Sequence, residues 1–435
     1  MNEAHPQKNP WWMVDPMALL SLIAMTIALG TTIRFAPDFK GGSAPGPATT
    51  KELAEPQIQD FAFLLNYARG QFADRMQSPY AVDTHRRFMA RWLGKEKDWA
   101  MCFGWSPMAI PVMAPFFPLP TPAAWATFCV LSSILFLIAA GQIAPPSRGG
   151  RLVLRLAAAS PCAIFIIGNG QTSLLTTAAL VAGMHFLRPA CRGVSVDVAL
   201  GVALGLLAFK PPIAILAGVA LLATGRFRPI WIGAGLVGTV IAATTAWFGP
   251  RWITDYLGLL GKYDTESCDP IFRAGFVPLM MSNLRSVLLI AGAPDGLASR
   301  ISSIAFLMGA AAIALAPLIT RRPLTIKTAL GLAVIAYCLF APHLSPSEDL
   351  AMIIPTWIAL ENGASQRGHV RAVIGCLLIF FFGGATSWLL QRPAQGFVFP
   401  LIAFCGKLLI AHGFVRTHLT DSRTATQRIT RPPTA

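Results

Sequence analysis

The chain has 435 residues, 54% of them hydrophobic and only 13% charged, with a formal net charge of +15. Soluble domains carry about a quarter charged residues, and mean hydropathy here is +0.57. Together with apolar residues in long blocks, this excludes a soluble enzyme, a disordered chain and a small disulfide scaffold, and leaves an all-α polytopic membrane protein.

In chain order, residues 1–16 form a short polar N-terminus. The apolar run from Met17 to Phe35 has no small-residue cleavage box before the polar loop that follows, and reads as a retained membrane helix. A membrane domain then extends over 17–415. Its apolar runs at 122–143, 152–167, 171–187, 194–209, 212–224, 230–248, 299–319, 324–341, 349–362, 371–390 and 397–415 bring the expected number of spans to about 11–13. Runs 106–119, with four prolines, and 276–293 are expected to be re-entrant or interfacial. A basic tail, 416–435, is expected to be disordered.

Positive charge orients these spans. With the N-terminus in the cytoplasm, sixteen Lys and Arg fall on cytoplasmic segments, among them Arg148, Arg226, Arg321 and Arg416. The short opposite turns hold only Lys210 and Arg392. Two long segments then lie outside the cytoplasm, 36–121 and 249–298. In the first, Phe61, Leu64, Leu65, Ala68 and Phe72 recur at helical spacing behind Asp60. His85 to Lys97 mixes Arg86, Arg87 and Arg91 with Phe88 and Trp92, as in a helix lying at a membrane surface.

Eight scattered cysteines form no CxxC pair and read as small buried hydrophobes. No Walker A, HExxH or GxSxG motif stands in a supporting context. The basic residues follow membrane sidedness rather than an aromatic-interleaved patch, so no nucleic-acid partner is expected.

Polar residues at membrane depth or at span ends are candidate functional groups, and five places qualify. Asp60 can act as a general base or as an ordinary helix N-cap. Asn169 and Gln171, within Gly168-Asn169-Gly170-Gln171-Thr172, can bond sugar hydroxyls or form a plain hairpin turn. Lys210, before Pro211 and Pro212, can hold a phosphate or snorkel to the interface. Arg285 stands inside an apolar segment and wants an anionic partner. His343 lies in the polar turn Pro342–Asp349 and can bond a phosphate, while Asp349 can cap the next helix.

In this order these places resemble glycosyltransferase family 87, a family of GT-C membrane enzymes. The likeness rests on Asp60-Phe61 with Tyr67 and Ser78-Pro79-Tyr80; Phe103-x-Trp105-Ser106-Pro107 and the proline-rich run to Pro120; Gly170-Gln171; Lys210-Pro211; Asn283-Leu284-Arg285-Ser286; and Pro342-His343 with Asp349-Leu350. The resemblance implies a GT-C helical bundle with a large first periplasmic loop. It implies a hexose donor, mannose favoured, on a polyprenyl phosphate, and a glycan or glycolipid acceptor. Asp60 would be the base. Lys210, Arg285 and His343 would hold the donor phosphate, and Tyr80, Asn169, Gln171 and Asn283 would contact substrate. A lysine or arginine can stand in for a divalent ion at a lipid monophosphate, so neither cofactor nor metal is expected. The implied location is a bacterial inner membrane with a periplasmic active site. The competing reading, a transporter or flippase of lipid-linked glycans, predicts charges within the spans and internal repeats.

Overall fold

A computed structural model describes residues 15–32, 60–74, 78–93, 105–143, 148–186, 193–262, 281–320, 324–361, 366–383 and 398–429. Among them every regular element is helical. In order these are α1 (Pro16–Thr32), α2 (Asp60–Asp74), α3 (Val82–Leu93), α4 (Ala109–Met113) with a 3₁₀ turn (Ala114–Phe116), α5 (Thr121–Ile143), α6 (Arg148–Ala158), α7 (Pro161–Asn169), α8 (Ser173–Phe186) and α9 (Val194–Leu207). Then come α10 (Pro211–Ala223), α11 (Phe227–Phe248), α12 (Arg251–Lys262), α13 (Leu284–Ile290), α14 (Asp295–Thr320) and α15 (Ile326–Phe340). A 3₁₀ helix (Pro346–Met352) leads into α16 (Ile353–Glu361), followed by α17 (Gln366–Phe382) and α18 (Val398–Ile429).

The all-α polytopic class is as expected. Four described helices, α5, α11, α14 and α18, are long and apolar enough to cross a membrane, and a fifth results if α6 and α7 are taken as one span. Six shorter apolar helices complete the set: α1, α8, α9, α10, α15 and α17. Polar turns interrupt two apolar runs that look continuous in sequence. The run 152–167 is bent by 46°. There Ser160 caps α7 by accepting from the Ala163 amide (3.2 Å), and Pro161 takes the first helical position. The run 349–362 opens as the 3₁₀ helix rather than as α-helix. At the other end α18 continues to Ile429, so the described part of the expected disordered tail is helical. No Gly or Pro interrupts it after Gly413.

Large apolar side chains such as Trp231, Leu318 and Ile319 are exposed on the long helices, the arrangement a lipid environment permits. Small residues let helices close up elsewhere. A Cβ on Gly406 of α18 would stand 2.8 Å from the Gly375 carbonyl oxygen of α17, so this crossing is backbone on backbone.

Helix α2 is engulfed rather than one-sided. Phe61, Leu64, Leu65 and Ala68 are buried as their spacing predicts, and so are Phe63 and Tyr67. Arg69 ties the proline-rich strap to α2, donating to the Phe116 (3.1 Å) and Leu119 carbonyls and to Thr121 Oγ1 (3.3 Å). Helix α3 turns Phe88 and His85 inward and leaves Arg86 and Arg87 exposed. Tyr67 stacks flat on His85, with ring centroids 4.9 Å apart and planes within 2°. His85 Nδ1 donates to the Ala81 carbonyl at 3.0 Å.

Burial lowers the His85 pKa to about 4 from its ordinary 6.5. The folded protein therefore keeps a neutral imidazole where the unfolded chain would take up a proton. This stability is fully present above pH 6.5 and is lost as pH falls toward 4, by up to about 3 kcal/mol. His85→Phe, which keeps a ring against Tyr67, should flatten the dependence. Amide-exchange protection of α3 measured at pH 7 and pH 4.5 checks this, and equal acid losses in both proteins would refute it.

Candidate functional site

The site is assembled from turns. The first closes α7. Gly170 adopts a left-handed conformation (φ 60°), and the Gln171 amide donates back to the Ile166 carbonyl at 2.8 Å, a helix stop that glycine favours. Glycine is also required sterically, because a Cβ at 170 would lie 2.3 Å from Phe61 Cβ. The turn is thereby seated against the start of α2, whose first residue is Asp60. Trp125 Nε1 donates to the Ile167 carbonyl at 3.0 Å and fixes the turn from α5. Asn169 gives its Nδ2 to the Phe165 carbonyl at 3.1 Å, a turn-forming contact. Gln171 is buried beside it.

Lys210 sits between α9 and α10, whose first positions are Pro211 and Pro212. Its side chain is only 10% exposed, so it does not snorkel. The ammonium lies 2.5 Å from Glu348 Oε1 and donates to Ser173 Oγ at 3.2 Å. Ser173 in turn donates to Ser347 Oγ at 2.8 Å, and the Tyr337 hydroxyl donates to Glu348 Oε2. The start of α8, Lys210 and the 342–349 turn are thus one hydrogen-bonded unit.

The 281–290 region joins the same turn from the other side. Asn283 caps α13 by accepting from the Ser286 amide at 3.0 Å, and it donates to the Ala341 carbonyl at 2.7 Å. Its amide is therefore engaged in structure at both ends. Arg285 is wholly buried, and its expected anionic partner is Asp295, whose two oxygens it meets at 2.8 and 3.0 Å. It also donates to the Pro342 carbonyl at 3.2 Å, next to the half-buried His343.

Asp349 does not act as a simple cap. Its Oδ1 stands 2.6 Å from Lys407 Nζ, and its Oδ2 accepts from Ser282 Oγ at 2.5 Å. Lys407 also donates to the Ser282 carbonyl (2.5 Å) and the Cys338 carbonyl (3.1 Å). Both charges are essentially inaccessible. The 3₁₀ geometry explains why adjacent carboxylates find different lysines: at three residues per turn, neighbours point about 120° apart.

Beside Lys210 runs an apolar groove of about 360 Å³, lined by Pro107, Met108, Pro211, Val240, Trp252 and Tyr256 among others. Its wall is pinned by Ser106 Oγ, which donates to the Ala208 carbonyl at 2.6 Å. Tyr80 backs this wall, with its ring 4.7 Å from that of Tyr256 and its hydroxyl donating to the Trp105 carbonyl at 3.1 Å. Burial pushes the Tyr256 phenol up to about 12.

The sequence singled out Lys210, Arg285, Asn283, His343, Asn169 and Gln171, and the turns that carry them converge. It missed Glu348, Tyr337, Ser173 and Ser282, which carry the connecting bonds. The available signal was the acidic pair at 348–349, together with Lys407 as a lone charge inside an apolar run. Within the second long non-cytoplasmic segment, Asp264, Glu266, Asp269 and Arg273 lie outside the described residues. Cys129, Cys162, Cys338 and Cys376 are buried as expected, whereas Cys405 is exposed.

Removing one member of a buried ion pair strands the other charge and costs about 3 to 5 kcal/mol. Lys407→Met should therefore lower the thermal midpoint sharply, while Lys407→Met combined with Asp349→Leu should recover most of the loss. Unfolding scans in detergent give the comparison, and additive losses would show that the pair is not coupled.

The comparisons with known proteins bear on what this constellation belongs to. No curated protein and no solved structure matches the chain. Residues 103–342 match glycosyltransferase family 87, a stretch that holds the strap, the Gly170 turn, Lys210 and the 281–290 region. It covers more than half of the chain, which therefore belongs to glycosyltransferase family 87 and is a membrane glycosyltransferase.

Proposed function

We propose that the chain moves a hexose, with mannose favoured, from a polyprenyl-phosphate donor to a glycan or glycolipid acceptor on the periplasmic face of a bacterial inner membrane. The observation that supports this most is the apposition of a buried lysine and an apolar groove. Ala208 and Pro211, on either side of Lys210, both line the groove. A ligand with a charged head and a long hydrocarbon tail matches that pairing, whereas a nucleotide sugar has no use for the groove. The groove takes the first prenyl units, and Lys210 takes the phosphate.

In this reading the acceptor hydroxyl oxygen attacks the anomeric carbon as the bond from that carbon to the phosphate oxygen breaks. Asp60 takes the acceptor proton, and the bonding pair leaves with the lipid phosphate. Charge developing on that phosphate is met by Lys210 in a site largely shielded from water, where such contacts are strongest. Arg285 and the His343 turn meet at the Pro342 carbonyl and hold the shape of the same unit. Tyr80, Asn169, Gln171 and Asn283 form the walls and turns that position these groups.

Asp60→Asn keeps a polar side chain of the same size at the start of α2 but removes the base. Given a radiolabelled polyprenyl-phosphate mannose, membranes with the variant should transfer label at least about a hundredfold more slowly than wild type. Equal transfer by both proteins would take Asp60 out of the chemistry. Transfer by neither would shift the reading to another donor sugar.

A further inference from the structure

Both cations expected to meet the donor phosphate are already paired, and the Lys210 pair differs from the Lys407–Asp349 pair in its exposure. Lys407 and Asp349 have no accessible surface to speak of, and Ser282 holds both. Lys210 and Glu348 keep some accessible surface, 10% and 9%, and Lys210 stands between Ala208 and Pro211, which line the groove. Glu348 is held by two side-chain partners, Lys210 through Oε1 and the Tyr337 hydroxyl through Oε2. Its neighbour in sequence, Asp349, faces Lys407 instead.

We propose that Glu348 is a stand-in anion for Lys210, occupying the place of the lipid phosphate in the empty enzyme and giving it up when that phosphate binds. The proposal rests on the reading of Lys210 as the phosphate partner. The charge balance motivates it. With Glu348 in contact, the Lys210 end of the groove carries no net charge, and an arriving phosphate gains little from it. Without a carboxylate there, the empty protein would hold an unpaired ammonium among apolar helices, at a cost of stability. A carboxylate that neutralises the lysine and then yields satisfies both states. The Tyr337 hydroxyl marks the position to which Glu348 can remain attached after releasing Lys210, and Ser173 stays within reach of the lysine. The 3₁₀ helix bearing Glu348 is anchored one residue further on by the Asp349 pair, so the exchange requires movement of one side chain rather than of the turn. Glu348 is in this sense a positioning residue. It sets how tightly the donor and the released lipid phosphate are held, without touching the reacting carbon.

The test uses the full-length protein in nanodiscs and undecaprenyl monophosphate, the leaving group of the proposed reaction, as the titrant. Glu348→Gln should bind it about tenfold more tightly or better, the scale of a close charge–charge coupling. The same lipid should raise the thermal midpoint more in Glu348→Gln than in wild type. A merely structural role for Glu348 predicts lost stability with no gain in affinity. Tyr337→Phe, which loosens the carboxylate without removing it, should show a smaller gain and serves if Glu348→Gln does not fold. Lys210→Met should weaken binding, and adding it to Glu348→Gln should abolish the gain. Weaker binding by Lys210→Met with no gain in either Glu348→Gln or Tyr337→Phe would overturn the stand-in role alone. Unchanged binding by Lys210→Met would overturn the phosphate assignment and the stand-in role with it.

Discussion

A charge enclosed by apolar helices must find an opposite charge and further hydrogen bonds, or it will not be charged. The arrangement of this protein follows from that constraint. Lys407 of α18 reaches Asp349 in the middle of the 3₁₀ helix and Ser282 just before α13. Three segments far apart in sequence are thereby held at one point. The 3₁₀ helix that results presents Glu348 to Lys210 at the head of α10, and the turn before it accepts bonds from Asn283 and Arg285. The lysine of the inner pair also ties the C-terminal helix to Ser282 and Cys338, inside the region that carries the family match.

The outer parts of the protein rely on aromatic packing. Phe63, Tyr67, His85 and Phe88 form one stack between α2 and α3, and Arg69 binds the proline-rich strap to it through carbonyl contacts. The strap then reaches α9 through Ser106 and the Ala208 carbonyl. A chain of contacts therefore runs from the loop helices to the residues flanking Lys210. The groove lies along the last link of that chain.

Local features of this architecture were legible in the sequence, and tertiary partners were not. The α2 and α3 helices, the Gly168–Thr172 turn and the proline break before α10 depend on a few consecutive residues, and each stands where periodicity or turn chemistry puts it. The 46° bend at Ser160 was within reach too, since a serine before a proline is a helix start, but the apolar run around it masked the signal. Pairings such as Lys407 with Asp349 depend on which faces the folded helices turn to one another. Asp349 looked like a cap because caps are local. Its actual role is set by a lysine that arrives from the far end of the chain. Lys210 looked able to snorkel because nothing nearby in sequence offers it an anion.

The seat of α2 on the Gly170 turn carries an implication for how these two segments can vary. Phe61 rests on a bare α-carbon, so the identities of positions 61 and 170 are not independent. Only a glycine at 61 would remove the Cβ that a methyl group at 170 would strike, and the left-handed backbone there (φ 60°) would still disfavour that methyl group. Second-site compensation can thus relieve the steric half of the conflict and never the conformational half. Position 170 is a one-way lock on drift, and it passes that rigidity through Phe61 to the carboxylate residue that opens α2.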